Sequence, residues 1–452
     1  MEQIIQPNQA IVSILGKAKA PTANCRWLHY CVSTPVDEGV LVFNMLTREL
    51  LLLTAAEYEN AVDLPYLRDH WFIVPEETEE KKLVDMVRWI QRSMRREPKH
   101  ITGYTILTTT DCNARCFYCY ELGRSRIPMS EETAKKTALF IKDHCGGKEV
   151  RIGWFGGEPL YNHRAIDIIC DTLRAEGVVF RSKMISNGYL FDDEMVEKAA
   201  SSWNLDRVQI TLDGTEAVYN RCKAFIYKEG SAYQVVTANI DRLLDRGIGV
   251  AVRMNMDFHN AEDLMALSEE LARRFGGKKL TAYPHLIFDD KVPWDTHHSV
   301  EKWTQLYASM HRLEDRLEEL GLHSSGNFGL SPNLPEGYCM ADDPSALVVT
   351  PDGRLGVCEH YSETELIGNL DSDARDQAVI ESFRQRCDEI PECPTCFYYP
   401  QCTALKKCPD RIPCIPPERE SLLRLTRRAM INEYRRKKFG LPKTDSEPYH
   451  QE

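Results

Sequence analysis

Three cysteines stand close together in the segment Asp111-Cys112-Asn113-Ala114-Arg115-Cys116-Phe117-Tyr118-Cys119-Tyr120, separated by three and then two residues. At this spacing one loop can hold three irons of a cubane cluster while the fourth iron lacks a protein ligand and stays open to substrate chemistry. Zinc is the competing use of clustered thiols. A structural zinc site asks for a fourth Cys or His at short spacing, and the next cysteine is Cys145. Asp111, Asn113 and Arg115 make the loop too polar to read as three core cysteines.

A second array lies toward the C-terminus. Cys339 is followed by thirteen residues, Gly353, four residues and Cys358; then come Cys387, Cys393, Cys396, Cys402, Cys408 and Cys414. A zinc ribbon on Cys393-Pro394-Thr395-Cys396 would use four thiols, fewer than this array supplies. Cys25, Cys31, Cys145, Cys170 and Cys222 have no metal-like spacing and read as packing residues.

The elements that must position these thiols follow from periodicity. From Gly103, strand-like runs (Tyr104 to Thr109, Glu149 to Phe155, Val178 to Ile185, Val208 to Leu212, Val250 to Met256, Leu280 to Phe288) alternate with amphipathic helical stretches. Six such units predict an α/β fold with a parallel, partly closed barrel whose active groups sit at the C-terminal ends of its strands. The first cysteine loop directly follows the first strand. Gly156-Gly157-Glu158-Pro159 follows the second, Ser186-Asn187-Gly188 ends the third, Gln209-Ile210-Thr211-Leu212-Asp213-Gly214 ends the fourth, and Arg253 and Asn255 lie on the fifth.

Before the barrel, runs at Trp27 to Val32, Val40 to Phe43 and Glu49 to Leu53 lead into Thr54-Ala55-Ala56-Glu57, a reciprocal helix cap, and so to a small α+β unit. After about Val300 the sequence predicts a bridging helix, a cysteine-rich loop region and a terminal helix from Glu418 to Phe439. The expected division is a module over 1–95, the barrel over 96–300 and the remainder over 301–452.

With 452 residues, a single small module is excluded, and a formal charge of -12 argues against long contact with a nucleic-acid backbone. No run of about 18 apolar residues predicts a membrane span, and Met1-Glu2-Gln3 lacks the basic start of an export signal. The expectation is a cytoplasmic protein in which clustered thiols are metal ligands rather than bridges.

Taken together, the Cys112/Cys116/Cys119 loop and the segments at the successive strand ends resemble radical S-adenosylmethionine (SAM) enzymes. The resemblance implies that the three cysteines hold a [4Fe-4S] cluster whose open iron binds SAM. An electron from an external donor such as flavodoxin or ferredoxin would then release a 5′-deoxyadenosyl radical that abstracts hydrogen. It also implies SAM contacts from Tyr118, Gly156, Gly157, Glu158, Pro159, Ser186, Asn187, Thr211 and Arg253. Asp213 is a candidate general base.

The C-terminal array is similar to the SPASM extension of that family, which carries two further [4Fe-4S] clusters, three in all. By resemblance, Cys393, Cys396, Cys402 and Cys414 enclose one, while Cys339, Cys358 and Cys408 hold the other with Cys387 as a possible fourth ligand. Five residues separate Cys402 from Cys408 where the family usually has three.

The N-terminal runs, including Gly39-Val40-Leu41-Val42-Phe43-Asn44, resemble the recognition element of enzymes that mature ribosomally made peptides, a winged-helix-like module on which a leader peptide adds as a strand. The implied function is a peptide maturase that forms an intramolecular crosslink, first a cysteine thioether. Alternatives are a carbon–carbon crosslink, epimerisation, or oxidation of a protein Cys or Ser as in anaerobic sulfatase maturation.

Overall fold

The computed structural model describes residues 1–16, 24–94, 98–121, 123–227, 229–287, 299–323, 330–334, 339–361, 364–408 and 414–440. Phe288, the expected end of the last barrel strand, lies outside them, as does the 95–96 boundary. The chain divides into two compact units, each discontinuous in sequence: Met1–Arg96 with Ser325–Cys339 and Arg386–Glu452, and Glu97–Ser324 with Met340–Gln385.

The first unit opens with β1 (Glu2–Ile5) and α1 (Gln9–Leu15), followed by β2 (Cys25–Trp27), β3 (Cys31–Val36), β4 (Gly39–Asn44) and β5 (Leu50–Leu53). Then come α2 (Ala55–Glu59), α3 (Pro65–Asp69), β6 (Ile73–Pro75) and α4 (Glu80–Met94). Trp27 to Val32 is not one strand. The chain turns where the Cys31 N–H donates to the Leu28 carbonyl (3.0 Å), so β2 pairs with β6 and β3 with β4.

The reciprocal cap at α2 forms as its residue types require: Glu57 N–H donates to Thr54 Oγ1 (3.3 Å) and Thr54 N–H to Glu57 Oε2 (2.9 Å). The main sheet is antiparallel in the order β1-β5-β4-β3. β1 was not visible in the sequence pattern, being four residues long with a register shift.

The second unit is built on six parallel strands: β7 (Gly103–Thr109), β8 (Val150–Gly156), β9 (Phe180–Ser186), β10 (Leu205–Thr211), β11 (Gly249–Met256) and β12 (Leu280–Leu286). The intervening helices are α5 (Glu131–His144), α6 (His163–Ala175), α7 (Asp193–Ser201), α8 (Glu216–Lys223), α9 (Ala232–Asp245) and α10 (Ala261–Phe275), with α11 (Val300–Glu319) after the last strand.

Burial alternates along β8 and β9, and α6 turns Ile166, Ile169, Cys170 and Leu173 inward. The result is the expected mixed α/β architecture, a partial barrel with a parallel sheet. One strand extends it: β13 (Ala346–Val349) pairs in parallel with β7, and β14 (Arg354–Gly356) and β15 (Gly368–Asn369) continue the sheet antiparallel. After α12 (Gln377–Phe383) the chain rejoins the first unit and ends its described part in α13 (Pro416–Phe439).

In the first unit one core gathers Val32, Leu41, Phe43, Val84 and Val87 with Leu334, Tyr399, Met430 and Tyr434. Cys393 and Cys396 pack against it. The sheet's outer strand β3 carries Pro35, which offers no N–H, and its Ser33 carbonyl accepts from Arg427 Nε (3.1 Å).

Candidate functional site

The loop after β7 is held from two sides. On one side, the strand pairing of β7 with β8 runs on into the loop: Gly157 N–H donates to the Thr109 carbonyl (3.0 Å) and Glu158 N–H to the Asp111 carbonyl (2.9 Å). Gly156 has φ +118°, and a Cβ there would lie 2.1 Å from Thr109 O; one on Gly157 would lie 2.4 Å from Asp111 O. The two glycines are therefore required by close backbone contact, Gly156 with the end of β7 and Gly157 with the cysteine loop that follows it.

On the other side, the end of α8 clamps the loop. Arg115 N–H donates to the Lys223 carbonyl (2.9 Å), and Ile226 N–H to the Asn113 carbonyl (2.9 Å), through a turn in which Ala224 takes a left-handed φ of 44°.

Within the loop, Asp111 Oδ1 accepts from Cys112 N–H (2.8 Å), and Cys112 Sγ receives Ala114 N–H (3.3 Å) and Asn187 Nδ2 (3.7 Å). Burial pushes the Cys112 thiol up to about 12, with Glu158 and the other two cysteines adding to the rise. Burial raises Cys116 and Cys119 as well, while the Lys223 charge pulls Cys116 down. Thiols of this kind ionise when a metal displaces their protons.

Among the described residues no three such side chains converge on a single ion. The N–H groups aimed at Cys112 Sγ suit a charged sulfur there. The donor set thus fits an iron–sulfur cluster held by Cys112, Cys116 and Cys119.

The other sequence candidates fall at the same strand ends. The Glu158 side chain, 0% exposed, accepts from Leu160 N–H (3.1 Å), Asn187 N–H (2.8 Å) and the Ser186 hydroxyl (2.9 Å), tying β8 to β9. Pro159 is buried, and its carbonyl receives Thr108 Oγ1 (3.0 Å). Asn187 Nδ2 also donates to Asn113 Oδ1 (2.6 Å). Thr211 ends β10, and Arg253 Nε on β11 donates to Asn255 Oδ1 (3.1 Å).

Tyr118 turns inward. Its hydroxyl donates to Asp213 Oδ1 (2.8 Å) and accepts from Lys223 Nζ (2.7 Å), and Lys223 Nζ lies 3.2 Å from Asp213 Oδ2. Asp213 is thus occupied by a phenol and a cation inside the site. Lys223 and Asn113 were not singled out from sequence. Lys223 sits ten residues past Asp213 on a helix that looks like any surface helix, and only the fold folds it inward.

Burial pushes Glu158 to about 7 from the usual 4.5, against three hydrogen bonds that favour the carboxylate. Since the folded value is the higher one, this group's share of stability is complete below the unfolded value of 4.5 and is lost as pH rises through about 7. Glu158→Gln places an amide NH₂ among donors. It should cost about 1–3 kcal/mol in denaturant unfolding and flatten the fall in stability between about pH 5 and 8. A stability equal to wild type at both pH values would show that the side chain does not brace β8 to β9.

The C-terminal cysteines fall into two groups. Cys393, Cys396, Cys402 and Cys414 all belong to the first unit. Burial raises the Cys396 and Cys414 thiols, and neighbouring cysteines add to it: Cys414 and Cys402 for Cys396, Cys393 and Cys402 for Cys414. Ile390 N–H points at Cys393 Sγ (3.4 Å) and Arg419 Nη1 at Cys414 Sγ (3.8 Å). Their loop is braced from the N-terminal residues: Tyr30 Oη donates to the Pro394 carbonyl (3.0 Å), and Arg88 Nη2 to the carbonyls of Tyr399 and Cys402.

Cys339, Cys387 and Cys408 also belong to the first unit, and Cys358 to the second, two residues beyond β14. Of the cysteines read as packing residues, Cys145 and Cys170 are buried, while Cys25, Cys31 and Cys222 are partly so. None of the sixteen forms a disulfide. Among the described residues no helix is long and apolar enough to cross a membrane.

Comparison with known proteins adds three findings. The family model of the radical SAM superfamily matches residues 106–271. A probable GTP 3′,8-cyclase of Archaeoglobus fulgidus is 25% identical over 306 residues, covering 63% of this chain and 95% of that protein. A serine-type anaerobic sulfatase-maturating enzyme of Klebsiella aerogenes is 25% identical over 312 residues, 63% of this chain and 74% of that protein.

Among solved structures, native anSMEcpe with bound AdoMet superposes with a TM-score of 0.58 at 13% identity, covering 75% of this chain and all of that one. Streptococcus suis SuiB reaches 0.51 at 10% identity, covering 85% and 98%. These likenesses are of fold. The match of residues 106–271 assigns that stretch, with its cysteine loop and parallel sheet, to the radical SAM domain, a family that works with S-adenosylmethionine and a [4Fe-4S] cluster, and the solved structures share its fold.

Proposed function

We propose that this protein is a peptide maturase: a radical SAM enzyme that crosslinks a ribosomally made precursor, first of all by a cysteine thioether. SAM at an iron–sulfur cluster supplies the hydrogen-abstracting radical. The chain's own residues hold the loop that carries the cluster: Gly156 and Gly157 by close contact, Glu158 by bracing the neighbouring strand ends, and Lys223 and Asn113 by the clamp from α8. Tyr118 and Asp213 close the inner wall.

The observation that carries the reading is the group of four cysteines, Cys393, Cys396, Cys402 and Cys414, built into one compact unit with the N-terminal module. Closing a thioether from a substrate carbon radical and a thiol releases one proton and one electron, and a cluster held by these four cysteines, or a second one served by Cys358, would supply an acceptor for that electron. The peptide substrate is supported by the fold neighbour anSMEcpe, which has been solved with AdoMet and the Kp18Cys peptide.

A leader strand has the sheet β1-β5-β4-β3 to add to. On β3 it meets Pro35 and must displace Arg427 from the Ser33 carbonyl. Sulfatase maturation is the second reading, favoured by the Klebsiella aerogenes relative. Deleting the N-terminal residues cannot separate the two, because Tyr399, Met430 and Tyr434 share their core.

The deciding experiment reacts the anaerobically reconstituted enzyme, SAM and dithionite with cysteine-containing peptides encoded beside its gene. Mass spectrometry showing the loss of two hydrogens means a crosslink, and an unchanged mass with inverted chirality means epimerisation. Conversion of a sulfatase peptide alone sinks the proposal. Within this reading, Cys396→Ala should lose about four irons and slow peptide modification more than about tenfold beyond any effect on SAM cleavage. Equal loss of both activities would deny the site a separate role.

A further inference from the structure

We infer that Arg124 is a positioning residue: it pins the segment that carries Cys358 to the end of the loop that carries Cys112, Cys116 and Cys119, and so fixes where Cys358 stands relative to that loop. The inference rests on the reading of Cys358 as a ligand of an auxiliary iron–sulfur cluster.

The chain leaves Cys119 through Tyr120 and Glu121 into a turn closed by Arg124 N–H on the Glu121 carbonyl (3.0 Å). From that turn the guanidinium reaches the stretch just after Cys358: Nη2 donates to the Tyr361 carbonyl (2.6 Å), and Cζ lies 4.9 Å from the centre of the Tyr361 ring. It covers the Tyr120 ring as well, at 5.3 Å. Tyr120 in turn packs on His360 with ring centres 4.1 Å apart.

Tyr120, the residue after Cys119, is thereby laid against His360, and one guanidinium bridges Tyr120 to Tyr361. Tyr361 is itself anchored, packed on Leu107 of β7 and Val348 of β13.

A planar cation that stacks on two rings and donates to a carbonyl has no close substitute. Lysine can keep the bond to the carbonyl but not the double stack. Without either, the turn loses its hydrogen bond to the Tyr361 carbonyl and its stack on the Tyr361 ring.

The test uses the reconstituted holoenzyme with Arg124→Ala, Arg124→Lys and Cys358→Ala. In Arg124→Ala, iron content should match wild type, while amide hydrogen exchange over 357–361 quickens by about tenfold or more. The microwave power that half-saturates the reduced SAM-site signal in electron paramagnetic resonance should fall severalfold, because a fast-relaxing neighbour has shifted. Arg124→Lys should fall between.

Exchange and saturation unchanged in Arg124→Ala, with iron lost in Cys358→Ala, would overturn the inference alone. Full iron in Cys358→Ala would overturn the cluster reading and the inference with it.

Discussion

Cys116→Ala should yield a protein that keeps the iron of its C-terminal cysteines and releases neither methionine nor 5′-deoxyadenosine from SAM under dithionite. The loop has three thiols and no fourth ligand among its neighbours, so removing one leaves a cluster two protein ligands, too few to hold a cubane whose fourth corner is open. About four irons should be missing. Cys393, Cys396, Cys402 and Cys414 lie in the other compact unit, so a cluster held by them would not depend on this loop.

Around Cys116, burial raises the thiol, Lys223 opposes that rise and Asp213 adds to it. Iron and SAM-cleavage assays on one preparation decide the matter. Iron near zero would mean that the cysteine sites assemble as one, and retained cleavage would mean that the loop is not the SAM site.

Much of this site was legible before any coordinates. Three cysteines at fixed spacing and strand-end segments in strict succession are local patterns, and the alternation of strand and helix that carries them is among the strongest signals a sequence gives. Cys112, Gly157, Ser186 and Asp213 therefore come together where the periodicity places them.

What stayed hidden depends on pairings between distant residues. β13 is four residues long and reads as loop until it is seen beside β7. Lys223 carries no motif, yet it meets Tyr118 and Asp213. Trp27 to Val32 reads as one apolar run with only His29 breaking it, and nothing in its residue types marks the turn at 28–30 that separates β2 from β3. The union of the N-terminal module with residues near Cys393 is a matter of shared core, which no linear division into domains expresses.

The glycines of the Gly156-Gly157-Glu158-Pro159 segment show how a residue can be singled out rightly and explained only in part. Its resemblance assigns them to a close approach of SAM, but the nearest atoms to their missing side chains are the carbonyl oxygens of Thr109, at the end of β7, and Asp111, in the cysteine loop, at 2.1 and 2.4 Å. Gly156→Ala and Gly157→Ala should each destabilise the second unit by about 3–5 kcal/mol. That sum joins the strain of an unfavourable φ at Gly156 to the loss of the bonds from Gly157 and Glu158 N–H, or, at Gly157, a backbone collision that only separation can relieve.

Gly147→Ala is the matched control. It has a φ of +74° but nothing within 4 Å of its would-be Cβ, so it carries the conformational cost alone, about 1–2 kcal/mol. If the contact argument holds, the first two variants should also lose SAM cleavage and about four irons, while Gly147→Ala keeps both. SAM binding that weakens in Gly157→Ala with iron and stability intact would return the glycine to the cofactor and leave the loop to be held from α8.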